Sequence, residues 1–325
     1  MCISHIERYG PPDKTKSPRT LQSQDLSDLR AKKARIATDA AVQTVLNLVS
    51  VNNLEKSILE LSNFHNRHSK SIYIHEVADW IQRQLLDIGF NDVSFHDYNE
   101  DGFDLKNVIC NKGVETEEGC ILLTAHYDTV LSKDPDDVTS RMPGANDNAS
   151  GVSALLEIAS VLSGIPLQRR VKFAFFSGEE QGLWGSTHYA QHIKESGEKI
   201  HVVVNMDMCG ETGFLANDNL SYIDIDNGET GTVDSNNIPS KNFGLKMQGL
   251  AEVYTQIDTI FDPIDASDYM PFESRGYVCI GAYDGSAISE NPHYHDSSDV
   301  ISNLNMNFLN EVTKMVLAFV LSETK

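Results

Sequence analysis

Cysteine is scarce and unpatterned in this 325-residue chain: Cys2, Cys110, Cys120, Cys209 and Cys279 make an odd count with no CxxC pair. That excludes a disulfide-framed scaffold and a thiolate zinc site. Cys110 and Cys120 lie on strand-like segments flanking a short polar loop, and whether they bond is left open. Basic residues are also short, 26 against 47 acidic ones, for a net charge of −21. Such a balance argues against nucleic acid or an anionic membrane as the main partner, and much of it simply keeps a surface soluble. No apolar run approaches the ~18–20 residues of a membrane span. The opening "MCISHIERYGPPDKTKSPRTLQSQ" has no apolar stretch that would serve as a secretory signal, which places the chain in the cytoplasm unless a signal has been removed.

What is present is an ordinary globular composition, 40% apolar with two tryptophans, in a chain long enough for a substantial core. Residues 1–40 are polar and proline-containing and read as a flexible N-terminal extension; residues 41–325 show no further break and read as one domain. A helix is expected over 74–88, where Val77, Trp80, Ile81, Leu85 and Ile88 recur at helical spacing before Gly89. Strands follow at "DVSFHDY", "NVICN" and "CILLTAH", then helix "GVSALLEIASVLSG", strand "VKFAFF", helix "GSTHYAQHIKES" and strand "HVVVNMD". A polar loop region near 210–242, a helix around 243–255, strand "VCIGAY" and a helix over 306–321 complete the chain. Alternating helices and strands, several of the strands apolar throughout, predict an α/β domain: a mixed, mostly parallel central sheet with helices on both faces.

Metal-binding residue types recur at the ends of these strands, where ligands gather in open α/β sheets. "LLTAHYDTV" offers His126 and Asp128 two apart, hence on one face if the strand continues; a metal-bound imidazole is commonly oriented by such a carboxylate. "GANDNASG" places Asp147 at a helix start, where Asp and Asn ordinarily cap, although Asn148 or Ser150 can serve that need and leave Asp147 to project. "FAFFSGEEQGLWGS" puts Glu179 and Glu180 side by side where the chain leaves the sheet, so that they point in roughly opposite directions. Two adjacent carboxylates repel unless cations neutralise them, though an exposed acidic turn is the bland reading. Asp207 closes strand "HVVVNMD", and "ENPHYHDSSDV" supplies His293 and His295. Each signal alone is unremarkable. Together they supply histidine and oxygen ligands suited to zinc, or to two metals sharing a carboxylate, with one glutamate left to move a proton.

The ordered set "TAHYD", "GANDNASG", "FSGEEQGLWGS", "NMDM" and "YHDSSD" resembles the di-zinc aminopeptidases of metallopeptidase family 28, and the likeness extends over roughly residues 45–322. It implies the zinc-peptidase fold, two zinc ions per chain, and hydrolysis of N-terminal, apolar residues from peptides with a free N-terminus. Carried over position by position, Asp147 would bridge the metals, His126 and Asp207 would complete one site, and Glu180 and His295 the other. Glu179 would be the general base beside a hydroxide bridging the zinc pair, and Asp128 the carboxylate partner of His126. His293 is left as a neighbour. The chain departs from the family in one loop: Tyr269 stands in "SDYMPF" where members often have histidine, and "FDPIDASD" lacks cysteine and any aromatic except Phe261.

Other hydrolases or acyl transferases of this fold, a carboxypeptidase or glutaminyl cyclase, are the alternatives, with a non-catalytic binding module behind them. Three further features are set aside. His188 and His192 lie four apart but without the glutamate of HExxH, and read as a solvated helix face. "YIDIDNGETG" puts Gly228 where an EF-hand needs an oxygen ligand, and Cys209 has no activating partner and reads as packing.

Overall fold

A computed structural model describes residues 39–212, 220–225, 234–261, 266–284 and 291–324. The extension expected at 1–40 therefore lies almost wholly outside the described residues. Two short helices open the described chain, α1 (Ala40–Leu46) and α2 (Val51–Asn63), capped by the side chains of Asp39 and Ser50. Helix α3 (Ile74–Ile88) follows and stops at Gly89, whose φ of 104° suits a residue without Cβ. Strands β1 (Val93–Glu100) and β2 (Phe103–Lys112) form a hairpin across Asp101–Gly102, both at positive φ. Such a two-residue Asp-Gly link matches the twist of paired strands.

The remaining elements are β3 (Cys120–His126), α4 (Gly151–Ser163), β4 (Val171–Phe176), α5 (Trp184–Ser196), β5 (Ile200–Met206), β6 (Leu220–Ile225), α6 (Asn237–Tyr254), β7 (Asp258–Phe261), α7 (Met270–Glu273), β8 (Cys279–Tyr283) and α8 (Met306–Glu323). The polar stretch 210–242, read as loop, in fact contains β6, and α6 starts earlier than 243. Strand β6 was hidden because "LSYIDI" alternates polar and apolar side chains among loop residues.

Among the described residues the sheet has eight strands in the order β1-β2-β4-β3-β5-β8-β6-β7. Its centre, β4-β3-β5-β8, is parallel, while β1/β2, β2/β4 and β6/β8 pair antiparallel. Alternation divides the apolar side chains between two cores. Ile121, Leu123 and Ala125 of β3, with Phe173 and Phe175 of β4, join helices α1–α4, α6 and α8 in the larger core. Leu122, Ala174, Phe176 and Val203 face α5 and α7 on the other side. Strands buried on both faces must be apolar throughout, which is why their sequences read as continuous runs.

Strand β4 runs between β2 and β3, and Cys110 and Cys120 are separate buried thiols. Cys209 is buried as packing, its Sγ 3.4 Å from the Ala282 carbonyl oxygen. Beyond Ile225, the calcium-like stretch lies outside the described residues. Among those residues, no helix is long and apolar enough to cross a membrane.

Candidate metal centre

The parallel centre sends the carboxyl ends of β3, β4 and β5 to one edge of the sheet, and the singled-out residues meet there. His126 ends β3; Glu179 and Glu180 follow β4 by three and four residues; Asp207 follows β5 directly. Asp147 comes from the tight turn Ala145–Ser150 that enters α4, and His295 from the loop before α8. As anticipated for that turn, Asn148 makes the capping bonds, its Oδ1 accepting from the amides of Gly151 and Met208.

Asp147 is the middle of the cluster. Its Oδ1 lies 3.2 Å from His126 Nε2, and its Oδ2 lies 3.0 Å from His295 Nε2. Asp207 Oδ1 approaches the same nitrogen of His126 at 3.2 Å, while Glu180 Oε2 approaches that of His295 at 2.9 Å. The five side chains thus form two halves, each with an imidazole and a carboxylate, joined by the two oxygens of one aspartate. Donor atoms of His126, Asp147 and Glu180 all fall within 4.8 Å of one another, close enough for one ion. Nitrogen and carboxylate donors at this spacing fit zinc.

Supporting contacts fix these groups. Asp128 is fully buried 3.6 Å from His126 Nδ1, and its two oxygens accept the amide protons of Glu179 and Glu180, each at 3.2 Å. Ser267, which the sequence reading did not assign, donates to Asp207 Oδ2 at 2.5 Å and accepts from Asn205, itself bonded to Thr124. Leu183, Met208 and His295, three of the four described non-glycine residues at positive φ, all lie in the loops around the cluster. That conformation is costly for side-chain-bearing residues and marks segments held by their surroundings.

Burial of so much negative charge shifts the proton affinities of these groups. Burial pushes Asp147 up, but His126 and His295 overcome it and hold its carboxyl well below the usual range. Burial lowers His295, yet Glu180 and Asp147 raise it to about 10. His126 is likewise raised well above its ordinary value by Asp207, Asp128 and Asp147 against burial. Glu180 is pushed up to about 7, chiefly by burial. Glu179, half-buried, is raised well above the usual carboxylate range by burial and by Glu180, Asp207 and Asp268.

His293 stands apart, facing Ser298 at 2.9 Å and Glu211 at 3.9 Å. Tyr269 is buried in the smaller core with Cys279 and Tyr283, not beside the cluster, and Phe261 packs against the larger core. An aromatic residue does reach the centre. Tyr294 stacks on His295 with ring centroids 3.7 Å apart, and its phenol is raised by burial and by Glu180, Asp147, Glu179 and Asp207. The signal for Tyr294 in the sequence is its position directly before His295. On α5, His192 is exposed as expected. His188 is half-buried, bonded to Glu100 at 2.9 Å and stacked on Tyr98. A hollow at the opposite edge of the sheet, lined by Glu115, Arg170, Glu198 and Lys199, has no comparable convergence.

An α/β fold with a histidine–carboxylate cluster at the strand ends has the donor set of a metal-binding site. Residues 107–320 match the sequence profile of Peptidase family M28, about two thirds of the chain, and the chain belongs to that family. It is 28% identical over 293 residues to leucine aminopeptidase 1 of Trichophyton equinum, covering 86% of this chain and 76% of that protein. The LapA aminopeptidase of Legionella pneumophila superposes with a TM-score of 0.75 at 22% identity, over 96% of this chain and 79% of that one. A zinc aminopeptidase from Bacillus subtilis gives 0.55 at 28% identity, over 69% and 52%. The glutaminyl cyclase of Porphyromonas gingivalis shares the fold, with a TM-score of 0.66 at 21% identity over 85% and 99%.

Proposed function

We propose that the chain is a zinc-dependent aminopeptidase that removes apolar N-terminal residues from peptides. The observation that carries this reading is Asp147, whose two oxygens each face a separate imidazole–carboxylate pair, with Glu179 beside them. In this reading two zinc ions would be held per chain: His126 and Asp207 would serve one, Glu180 and His295 the other, and Asp147 would serve both. Zinc held there supplies a Lewis acid for the scissile carbonyl and water acidified to a pKa near about 7.

The chain's own groups do the rest. Glu179 takes a proton from water as its oxygen attacks the carbonyl carbon, then delivers that proton to the departing nitrogen as the C–N bond breaks. The Tyr294 hydroxyl, kept protonated, donates a hydrogen bond to the carbonyl oxygen as negative charge develops. Asp128 holds the His126 ring and the backbone of the Glu179–Glu180 turn in register. The names borne by the relatives, leucine aminopeptidase among them, support an apolar residue at the substrate's N-terminus.

The test is metal analysis of the purified protein, with leucine p-nitroanilide hydrolysis followed before chelation, after it and on zinc restoration. Activity abolished by chelator and restored by zinc is expected. Hydrolysis confined to N-terminally blocked peptides would point to carboxypeptidase action. Cyclisation of an N-terminal glutaminyl peptide without hydrolysis would point to acyl transfer. Either result would displace this proposal.

A further inference from the structure

We infer that Arg67 is a positioning residue for this centre: its guanidinium, set against the Asp299 carboxylate, fixes the spacing between the His126–Asp128 segment and the turn carrying Asp147, and so sets how tightly the site takes zinc. The inference rests on the zinc reading above.

Arg67 is a completely buried side chain, and its bonds go to backbone carbonyls on three segments. Nε donates to the Tyr127 carbonyl at 2.8 Å, between His126 and Asp128. Nη1 donates to Pro143 at 2.5 Å and to Leu61 at 3.3 Å, and Nη2 to Gly144 at 2.8 Å. The backbone amide of Arg67 adds a bond to Thr129 Oγ1 at 3.1 Å. One planar fork therefore joins the segment after β3 to the turn before α4. A lysine offers a single nitrogen and cannot span both.

Asp299 grips the same turn from its other side. Its Oδ1 accepts from the Asn146 amide at 2.8 Å, its Oδ2 from the Asp147 amide at 3.0 Å, and its backbone oxygen from Ala145 at 3.2 Å. The carbonyls of Pro143 and Gly144, just before the turn, go to Arg67 and the amides of Ala145, Asn146 and Asp147 to Asp299, so the stretch leading into Asp147 is held between opposite charges. The packing leaves no slack. A Cβ on Gly144 would lie 2.3 Å from Thr129 Cγ2 and 2.7 Å from Arg67 Nη2. Neighbours of Arg67 tie down the intervening loop: Asn66 donates to the carbonyls of Val138 and Ser140, and His65 and His68 meet those of Thr139 and Pro135. Arg67 is the member of this segment that reaches both metal-facing ends. Groups that orient metal ligands typically change metal affinity about 10–100-fold when altered.

The experiment compares wild type, Arg67→Lys and Asp299→Asn, each stripped of metal. Zinc affinity is read by competition with a chromophoric chelator, and the thermal midpoint is read with and without zinc. The expected result is zinc binding weakened about tenfold or more in Arg67→Lys and clearly weakened in Asp299→Asn, with a smaller zinc-induced rise in Tm in both. Affinities within about twofold of wild type, with Tm lowered equally in both metal states, would reduce the pair to a role in folding and overturn the inference. If Arg67→Lys does not fold, the isosteric Asp299→Asn decides by the same criterion. Wild-type protein that takes no zinc would remove the zinc reading and this inference together, whereas zinc-binding wild type with unchanged variants removes the inference alone.

Discussion

Asp128 Oδ2 accepts the backbone amide proton of Glu180 at 3.2 Å while its other oxygen takes that of Glu179 and faces the ring of His126. One buried carboxylate therefore ties the ends of two neighbouring strands together at the point where metal chemistry is proposed. Asp128→Asn would present an N–H to an amide that now donates. We expect a 10–100-fold loss of zinc affinity or turnover, read by chelator competition and anilide hydrolysis.

Glu179→Gln keeps the shape of the side chain and removes its ability to carry a proton. Turnover should fall by about 10²–10⁴-fold while zinc content stays at the wild-type value. Full activity in this variant would remove Glu179 from the proposed role.

Tyr294→Phe tests the hydroxyl beside His295. Losing one preorganised donor to a developing oxyanion lowers kcat by about 10²–10³-fold in well-studied hydrolases, with little change in KM expected. An unchanged kcat would leave the carbonyl oxygen to other groups.

Two ions sharing Asp147 predict a graded response to ligand removal. Glu180→Ala should leave about one zinc per chain, because His126 and Asp207 remain. Asp147→Ala should weaken both. Zinc counted by atomic absorption checks this, and a single ion in wild-type protein would argue against two ions sharing Asp147.

Metal uptake should depend on pH in a defined direction. In the metal-free protein His295 holds its proton up to about 10, because Glu180 and Asp147 outweigh burial, and Glu180 holds its own up to about 7. Zinc must expel these protons, so its affinity should rise with pH, about tenfold per unit for each proton displaced. The metal-free fold responds the opposite way. Both groups bind protons more tightly folded than unfolded, so their contribution to stability declines as pH rises through about 7 and then about 10. Calorimetry in buffers of different ionisation enthalpy counts the protons, and Tm against pH follows the stability.

The fold was legible wherever burial dictated the residue types. Strands β3, β4 and β5 are apolar on both faces, and α3 shows Val77, Ile81 and Leu85 in one stripe ended by Gly89. Helix α2 is capped by Ser50 and buries Leu54, Ile58 and Leu61, but "VNNLEKSILELSN" dilutes that face with polar residues and gives a weak periodic signal. Strands β6 and β7, towards the edge of the sheet, carry mixed patterns that a loop also shows. His126, Asp147, Glu180 and Asp207 stood out because they lie at or just past a recognisable strand end or at a helix start, whereas His295, in a loop, stood out through the family resemblance. Ser267, Tyr294, Arg67 and Asp299 did not, since a serine hydroxyl, a phenol or a buried guanidinium takes its meaning from a partner distant in sequence.

The sheet's direction has a practical corollary. His126, Glu179, Glu180 and Asp207 leave from the carboxyl ends of β3, β4 and β5, and the exposed link between β2 and β3 around Glu117 sits at the far end of those strands, about 20 Å away over the length of β3. A cysteine introduced at Glu117 would tether the protein to a bead or a dye with its working mouth turned outward, and the immobilised preparation should cleave small peptides as the free one does.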